Sequence, residues 1–76
     1  MRRATNESVA ALLAANLKQL RRRARLTQAQ AAERWQAKRT TYAAWEEQRA
    51  GPKLAGLLAG CQAFDVTLHQ LLTTKL

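Results

Sequence analysis

Residues 26–45 read LTQAQAAERWQAKRTTYAAW, and how this stretch folds decides how the rest is organised. Thr27 with Gln30 three positions later makes a capping box, in which hydroxyl and side-chain amide each satisfy an orphan backbone donor, so a helix starts at Gln28. Ala31, Ala32 and Trp35 then fall on one face, with Gln28, Gln30, Glu33 and Arg34 on the other. The small alanines let a second helix come close. Gln36, Ala37 and Lys38 interrupt the pattern, and Tyr42 and Trp45 resume it about one turn apart. The second helix, expected from about Arg39 to Glu46, therefore has Tyr42 and Trp45 behind it. Lys38, Arg39 and Thr40 crowd its start, and Thr41 and Ala44 are expected to face outward. Two short helices joined by a tight turn, the second offering a polar first turn, form a helix-turn-helix pattern over about residues 27–46.

A chain of 76 residues is expected to be one domain, able to bury only about 60% of its unfolded surface. A helical bundle is the natural solution at that size. Thirteen Lys and Arg against five acidic residues give a net charge of +8, and ten of the thirteen cations lie at or before Arg39. Such asymmetry points to a polyanionic partner, in most cases nucleic acid. The single Cys61 excludes an internal disulfide and fits a reducing compartment. No apolar run approaches the roughly 18 residues of a membrane span, and the N-terminus lacks a signal peptide's apolar core, so a cytoplasmic location is expected. A lone His69, one Cys and five scattered acids supply no nucleophile–base pair, metal cluster or Gly-rich phosphate loop. Catalysis, cofactor and metal are not expected.

Outside the central stretch, residues 1–5 form a basic stub with Arg2 and Arg3. Thr5 or Asn6 is a plausible helix cap, and Glu7 suits the positive end of the first helix. Val9, Leu13, Leu17 and Leu20 recur at helical spacing, so the first helix runs from about Glu7 to Arg23. Val9 and Leu12 either extend the core or face a second subunit. Arg21, Arg22, Arg23 and Arg25 close this helix. One or two cations there would complement the dipole; four are more than that requires, and some of them are expected to contact phosphates. Gly51-Pro52 marks a turn, flanked by Arg49 and Lys53 as further phosphate-binding candidates. A fourth helix from about Lys53 to Ala63 is expected to bury Leu54, Leu57, Leu58 and Cys61, with Gly56 and Gly60 weakening it. Thr67 with Gln70 repeats the capping box at a fifth helix. Its apolar set exceeds what a thin domain can hide, so Leu68, Leu71 and Leu72 are candidates for a two-fold contact.

Several segments carry a resemblance: LKQLRRRARLTQAQAAERW at residues 17–35, TTYAAWEE at 40–47, the single Pro52 and FDVTLHQLL at 64–72. In them the chain is similar, without a gap from Leu13 to Leu72, to the phage repressor and Cro family of helix-turn-helix proteins, the XRE family. The resemblance implies an all-α, compact five-helix, lambda-repressor-like DNA-binding domain. It places Gln28 on the DNA backbone and Lys38, Arg39, Thr40 and Ala44 at base-reading positions, with Thr41 contacting backbone or base. Two departures stand out: Gln36 replaces the usual turn glycine, and Lys38 the usual serine cap. Glu46 is usual in the family and is expected to pair with a nearby arginine.

The expected function is a sequence-specific double-stranded DNA-binding regulator, either a Cro-like repressor or an antitoxin-type autoregulator, acting as a dimer on a palindromic operator. A toxin or co-regulator is a further partner open to such a protein. The alternative is an interaction module on the same fold, binding DNA without discrimination. Tyr42 and Trp45 could form a stacking platform for nucleic acid, but their spacing opposite the basic turn assigns them to the core.

Overall fold

The computed structural model describes residues 6–76, with side chains from Ser8 onward. The basic stub and the side chains expected to cap and charge the start of the first helix lie outside the described residues. Five helices follow in order: α1 (Asn6–Arg23), α2 (Gln28–Arg34), α3 (Arg39–Glu46), α4 (Leu54–Phe64) and α5 (Leu68–Thr73). Helix α2 packs on α3, α1 lies against both α3 and α5, and α4 meets α5.

Local chemistry accounts for the helix starts. Thr27 and Thr67 each accept from the backbone N–H of the residue three positions on, at 3.2 and 3.0 Å, while Gln30 and Gln70 reach back to the cap's own N–H. Lys38 and Lys53, at the starts of α3 and α4, provide no such side-chain bond. The helix ends are more unusual. Arg25, Gln36, Gln48 and Asp65 all take left-handed backbone, with φ between 54° and 61°, and no glycine in the chain does. In each case the next residue's N–H reaches back five positions to an orphan carbonyl: Leu26 to Arg21, Ala37 to Ala32, Arg49 to Ala44 and Val66 to Cys61. This is the helix-ending motif that glycine usually serves, because a Cβ in that region costs about 1–2 kcal/mol.

The core is built around Trp35. Its ring meets Trp45 edge to face at 5.6 Å and lies 6.0 Å from Phe64. Around it are Leu17, Leu20, Ala31, Ala32, Tyr42, Cys61 and Leu71. A Cβ placed on Gly60 would sit 2.0 Å from the Trp35 ring, so this glycine clears the space for the indole. It is a packing requirement rather than a weak point of α4. Tyr42 is fully buried and Trp45 nearly so, as core residues and not as an exposed platform. Burial also pushes the Cys61 thiol up from its ordinary pKa.

Two expectations about apolar faces are corrected. Leu71 is fully enclosed within its own subunit at 0% exposure, so it cannot form a contact between copies, and its neighbours Leu68 and Leu72 are half-buried. Leu54 and Leu58, expected in the core, are 63% and 48% exposed. Val9 and Leu12 line a small apolar cleft with Leu72, which joins the extra turn of α1 to α5. A buried polar residue that periodicity passed over, Asn16, holds the segment after α5. Its Nδ2 donates to the Leu71 and Thr74 carbonyls, both at 2.8 Å, and its Oδ1 accepts from the Leu76 N–H at 2.9 Å.

Gln36→Gly should raise stability by up to about 1 kcal/mol, because the strain relieved exceeds the extra freedom gained by the unfolded chain. For a domain of this size that is at most about 4–8 °C in Tm. Gly60→Ala should lower it by at least about 1–3 kcal/mol through overpacking against Trp35. Thermal unfolding followed by circular dichroism reads both, and a stable Gly60→Ala protein would mean that Trp35 has another place to go.

Candidate nucleic-acid interface

The helix-turn-helix pair is fixed to α1 by one buried carboxylate. Glu46, at the end of α3, has a side chain only 1% exposed. Arg21 of α1 grips it with two bonds, Nε to Oε2 at 2.7 Å and Nη2 to Oε1 at 3.1 Å, and also donates from Nη1 to the Leu26 carbonyl at 3.2 Å. Gln28 of α2 adds a bond to Oε1 at 3.3 Å. Burial by itself would push the Glu46 carboxyl upward. The hydrogen bonds from Arg21 and Gln28 and the charge of Arg21 outweigh it, and the carboxyl is held below its ordinary range. Burial likewise drives the Tyr42 hydroxyl well above the usual tyrosine range, so it stays protonated and donates to the Leu17 carbonyl at 3.3 Å.

This knot reassigns two residues expected to meet phosphates. Arg21 is turned inward onto Glu46, which is the arginine partner foreseen for that carboxylate, and it leaves the phosphate set. The Gln28 side chain is likewise half-buried and aimed at Glu46 rather than at solvent. Ala44 is corrected as well. It is only 9% exposed, so it lies on the buried side of the helix and not on its outer face.

The start of α3 remains as expected. Lys38, Arg39, Thr40 and Thr41 are all exposed, on a helix whose rear face buries Tyr42, Ala43 and Trp45. Lys38 and Thr41 share an open groove with Lys53 at the start of α4, bringing that lysine beside the exposed turn. Among the described residues, Arg22, Arg25, Lys38, Arg39 and Lys53 are exposed and engage no acid. Arg23 donates to the Leu76 carbonyl. Arg49 pairs with Glu47 at 2.7 Å, both more than half exposed, a contact worth about 0–1 kcal/mol and readily exchanged. Among the described residues no three His, Cys, Asp or Glu side chains gather as a metal site, and no helix is long and apolar enough to cross a membrane.

A polar first turn held out from a buried rear face, on the second of two tightly joined helices, is the arrangement that places a helix in the major groove. The helix-turn-helix domain family matches residues 12–73. The chain belongs to that family. It is a DNA-binding domain of helix-turn-helix type, not an enzyme. The crystal structure of a hypothetical transcription factor, NHTF, from Neisseria is similar over 95% of this chain and 83% of its own length, with 25% identity and a TM-score of 0.79. No curated protein matches the chain.

The Glu46 knot sets an acid limit on the helix-turn-helix. A carboxyl whose native pKa is depressed contributes stability that is fully present above its ordinary value of 4.5. That stability is lost as pH falls through the lower native value. Glu46→Gln should therefore flatten the fall in the urea midpoint between neutral and acid pH. Arg21→Ala should cost about 3 kcal/mol at pH 7, because it strands a buried charge. A native-like urea midpoint for Arg21→Ala would show that Gln28 alone satisfies the carboxylate.

Proposed function

We propose that the chain is a sequence-specific regulator of transcription that reads double-stranded DNA as a dimer on a palindromic operator. It would act in the cytoplasm as a small Cro-like repressor or as an antitoxin-type autoregulator. The observation that carries this reading is the exposed run Lys38, Arg39, Thr40 and Thr41 at the start of α3. The likeness to the Neisseria protein, described as a hypothetical transcription factor, supports the same class.

Arg39 carries the planar fork that pairs with guanine O6 and N7, and Lys38 reaches the same atoms less rigidly. Thr40 and Thr41 can donate to a base or a phosphate, or touch a thymine methyl. No side chain caps the first turn of α3, so its N–H groups and the positive end of its dipole are open to an anionic acceptor. Arg22, Arg25 and Lys53 then hold the phosphates, with Arg23 and Arg49 able to join by giving up their present partners. With Ala44 turned inward, the reading surface is confined to one turn and the half-site is short. A short half-site carries little information, which favours two of them read together.

Selection from a randomised duplex library at about 150 mM salt, where nonspecific contacts are already weakened, should enrich an inverted repeat. A featureless bound pool would overturn the reading and leave the protein-interaction module. Arg39→Ala should cost about 1–3 kcal/mol on the selected site and relax preference at one base pair. Arg22→Ala should weaken all duplexes alike and make the salt slope shallower by roughly 1. A loss confined to the selected site would move Arg22 into the reading surface.

A further inference from the structure

A cleft of about 430 Å³ opens where α1, α2 and α4 end, and no residue of the first turn of α3 lines it. Its floor is apolar: Leu20 is buried, and Phe64 and Val66 are half-buried. Its exposed rim carries Arg23, Arg34 and Asp65. The Arg34 guanidinium lies over the Phe64 ring, 5.9 Å from its centre, a contact that fixes the group against the floor while its N–H edge can still bond an oxygen. Arg23 already donates to one backbone oxygen, the Leu76 carbonyl. Asp65 is held by left-handed backbone at the end of α4, with φ 54°, where the carbonyl end of the helix dipole adds negative potential. Among the described residues neither Arg34 nor Asp65 has an ionic partner. Opposite charges therefore face one apolar cleft without pairing with each other.

We infer that this cleft binds a small zwitterion with an apolar side chain, in chemical terms a free hydrophobic α-amino acid. Its carboxylate meets the Arg34 guanidinium, with Arg23 as a second donor, its ammonium faces Asp65, and its side chain covers Leu20, Phe64 and Val66. A simple anion would satisfy the arginines but bring its charge toward Asp65 with nothing to offset it, and a simple cation would meet the reverse. A neutral apolar molecule would leave all three charges unused. The space falls within the roughly 300–1,000 Å³ of small-ligand sites. Because the rim charges stand in water, each pairing is weak and the affinity is in the millimolar range. The inference does not rest on the proposed reading of DNA, since Lys38 to Thr41 take no part in it.

The test titrates the full chain with L-leucine and follows the backbone amides by NMR. Those of Arg34, Phe64, Asp65 and Val66 should shift along one saturable curve. N-acetyl-L-leucine lacks the ammonium and L-leucinamide the carboxylate, and each should bind about 3- to 5-fold more weakly than leucine. Glycine keeps both charges without the side chain and should bind more weakly than leucine too. Asp65→Asn retains a residue that tolerates left-handed backbone. It should weaken leucine about 3- to 5-fold and leave N-acetyl-L-leucine unchanged. Arg34→Gln should weaken leucine to a similar degree and leave L-leucinamide unchanged. A merely structural role for either residue would not split the ligands in this way. Absence of a saturable shift at the cleft overturns the inference. So does equal or tighter binding of N-acetyl-L-leucine, which would reduce the cleft to the general attraction of a +8 chain for anions, and so does equal binding of L-leucinamide. The analogue series uses the wild-type protein and decides the question even where a variant fails to fold. A featureless library selection would leave all of these outcomes untouched.

Discussion

Among the described residues the Glu46 carboxylate is the one charge in the core, and its satisfaction fixes how the first three helices meet. A carboxylate taken out of water costs several kcal/mol unless its oxygens are filled. Here they are filled from two other helices at once, by a bidentate Arg21 from α1 and by Gln28 from α2. Arg21 in turn holds the Leu26 carbonyl in the connection between those helices. Neutral packing could supply the same burial, but it would not specify one angle between α1 and α3. Since Glu46 ends the helix whose first turn is exposed, the angle set by this knot is the angle at which Lys38 to Thr41 are held out.

The rest of the domain works to keep that frame small and stiff. Trp35 follows the last residue of α2 and touches Trp45 of α3 and Phe64 of α4, with Gly60 clearing its ring. One indole therefore ties three helices together. Asn16 does the equivalent at the other side with hydrogen bonds, drawing the segment after α5 onto α1. Against these stand four left-handed turns on residues other than glycine, each storing strain of about 1–2 kcal/mol. The strain persists because each turn also satisfies an orphan carbonyl at its helix end. One of them, Gln36, lies within the helix-turn-helix itself, where a stiffer side chain also limits how freely α3 swings relative to α2.

What was legible in the sequence is what local chemistry decides. The two Thr–Gln boxes marked the starts of α2 and α5, and α3 spans the residues that Tyr42 and Trp45 framed. Strain at Gln36 and the absent cap at Lys38 could be read from residue type and position. Arg21 was misread because charge on its own does not reveal that a carboxylate 25 positions away is buried beneath it. Leu71, Leu54 and Leu58 were misassigned for a related reason. Periodicity identifies an apolar face, but which face is covered depends on how far α4 stands from its neighbours. Ala44 is the finest case: one position on an eight-residue helix separates the outer face from the inner one, and the angle imposed by Glu46 decides between them.

The distribution of charge left after folding constrains how such a protein can gain specificity. Of the four arginines closing α1, one is spent on Glu46 and another meets the Leu76 carbonyl, which leaves Arg22 and Arg25 exposed without an acid beside them. Lys53 beside the first turn of α3 and Arg49 behind a weak surface pair add to them. On the proposed reading, phosphate contacts from these few residues would give a modest affinity that is independent of sequence and a moderate dependence on salt. A single reading turn of α3, as proposed, would add discrimination over only a few base pairs. Neither quantity is large for one copy. Both would double if two copies share a duplex as proposed, and selectivity would then depend on what joins the copies as much as on what reads the bases.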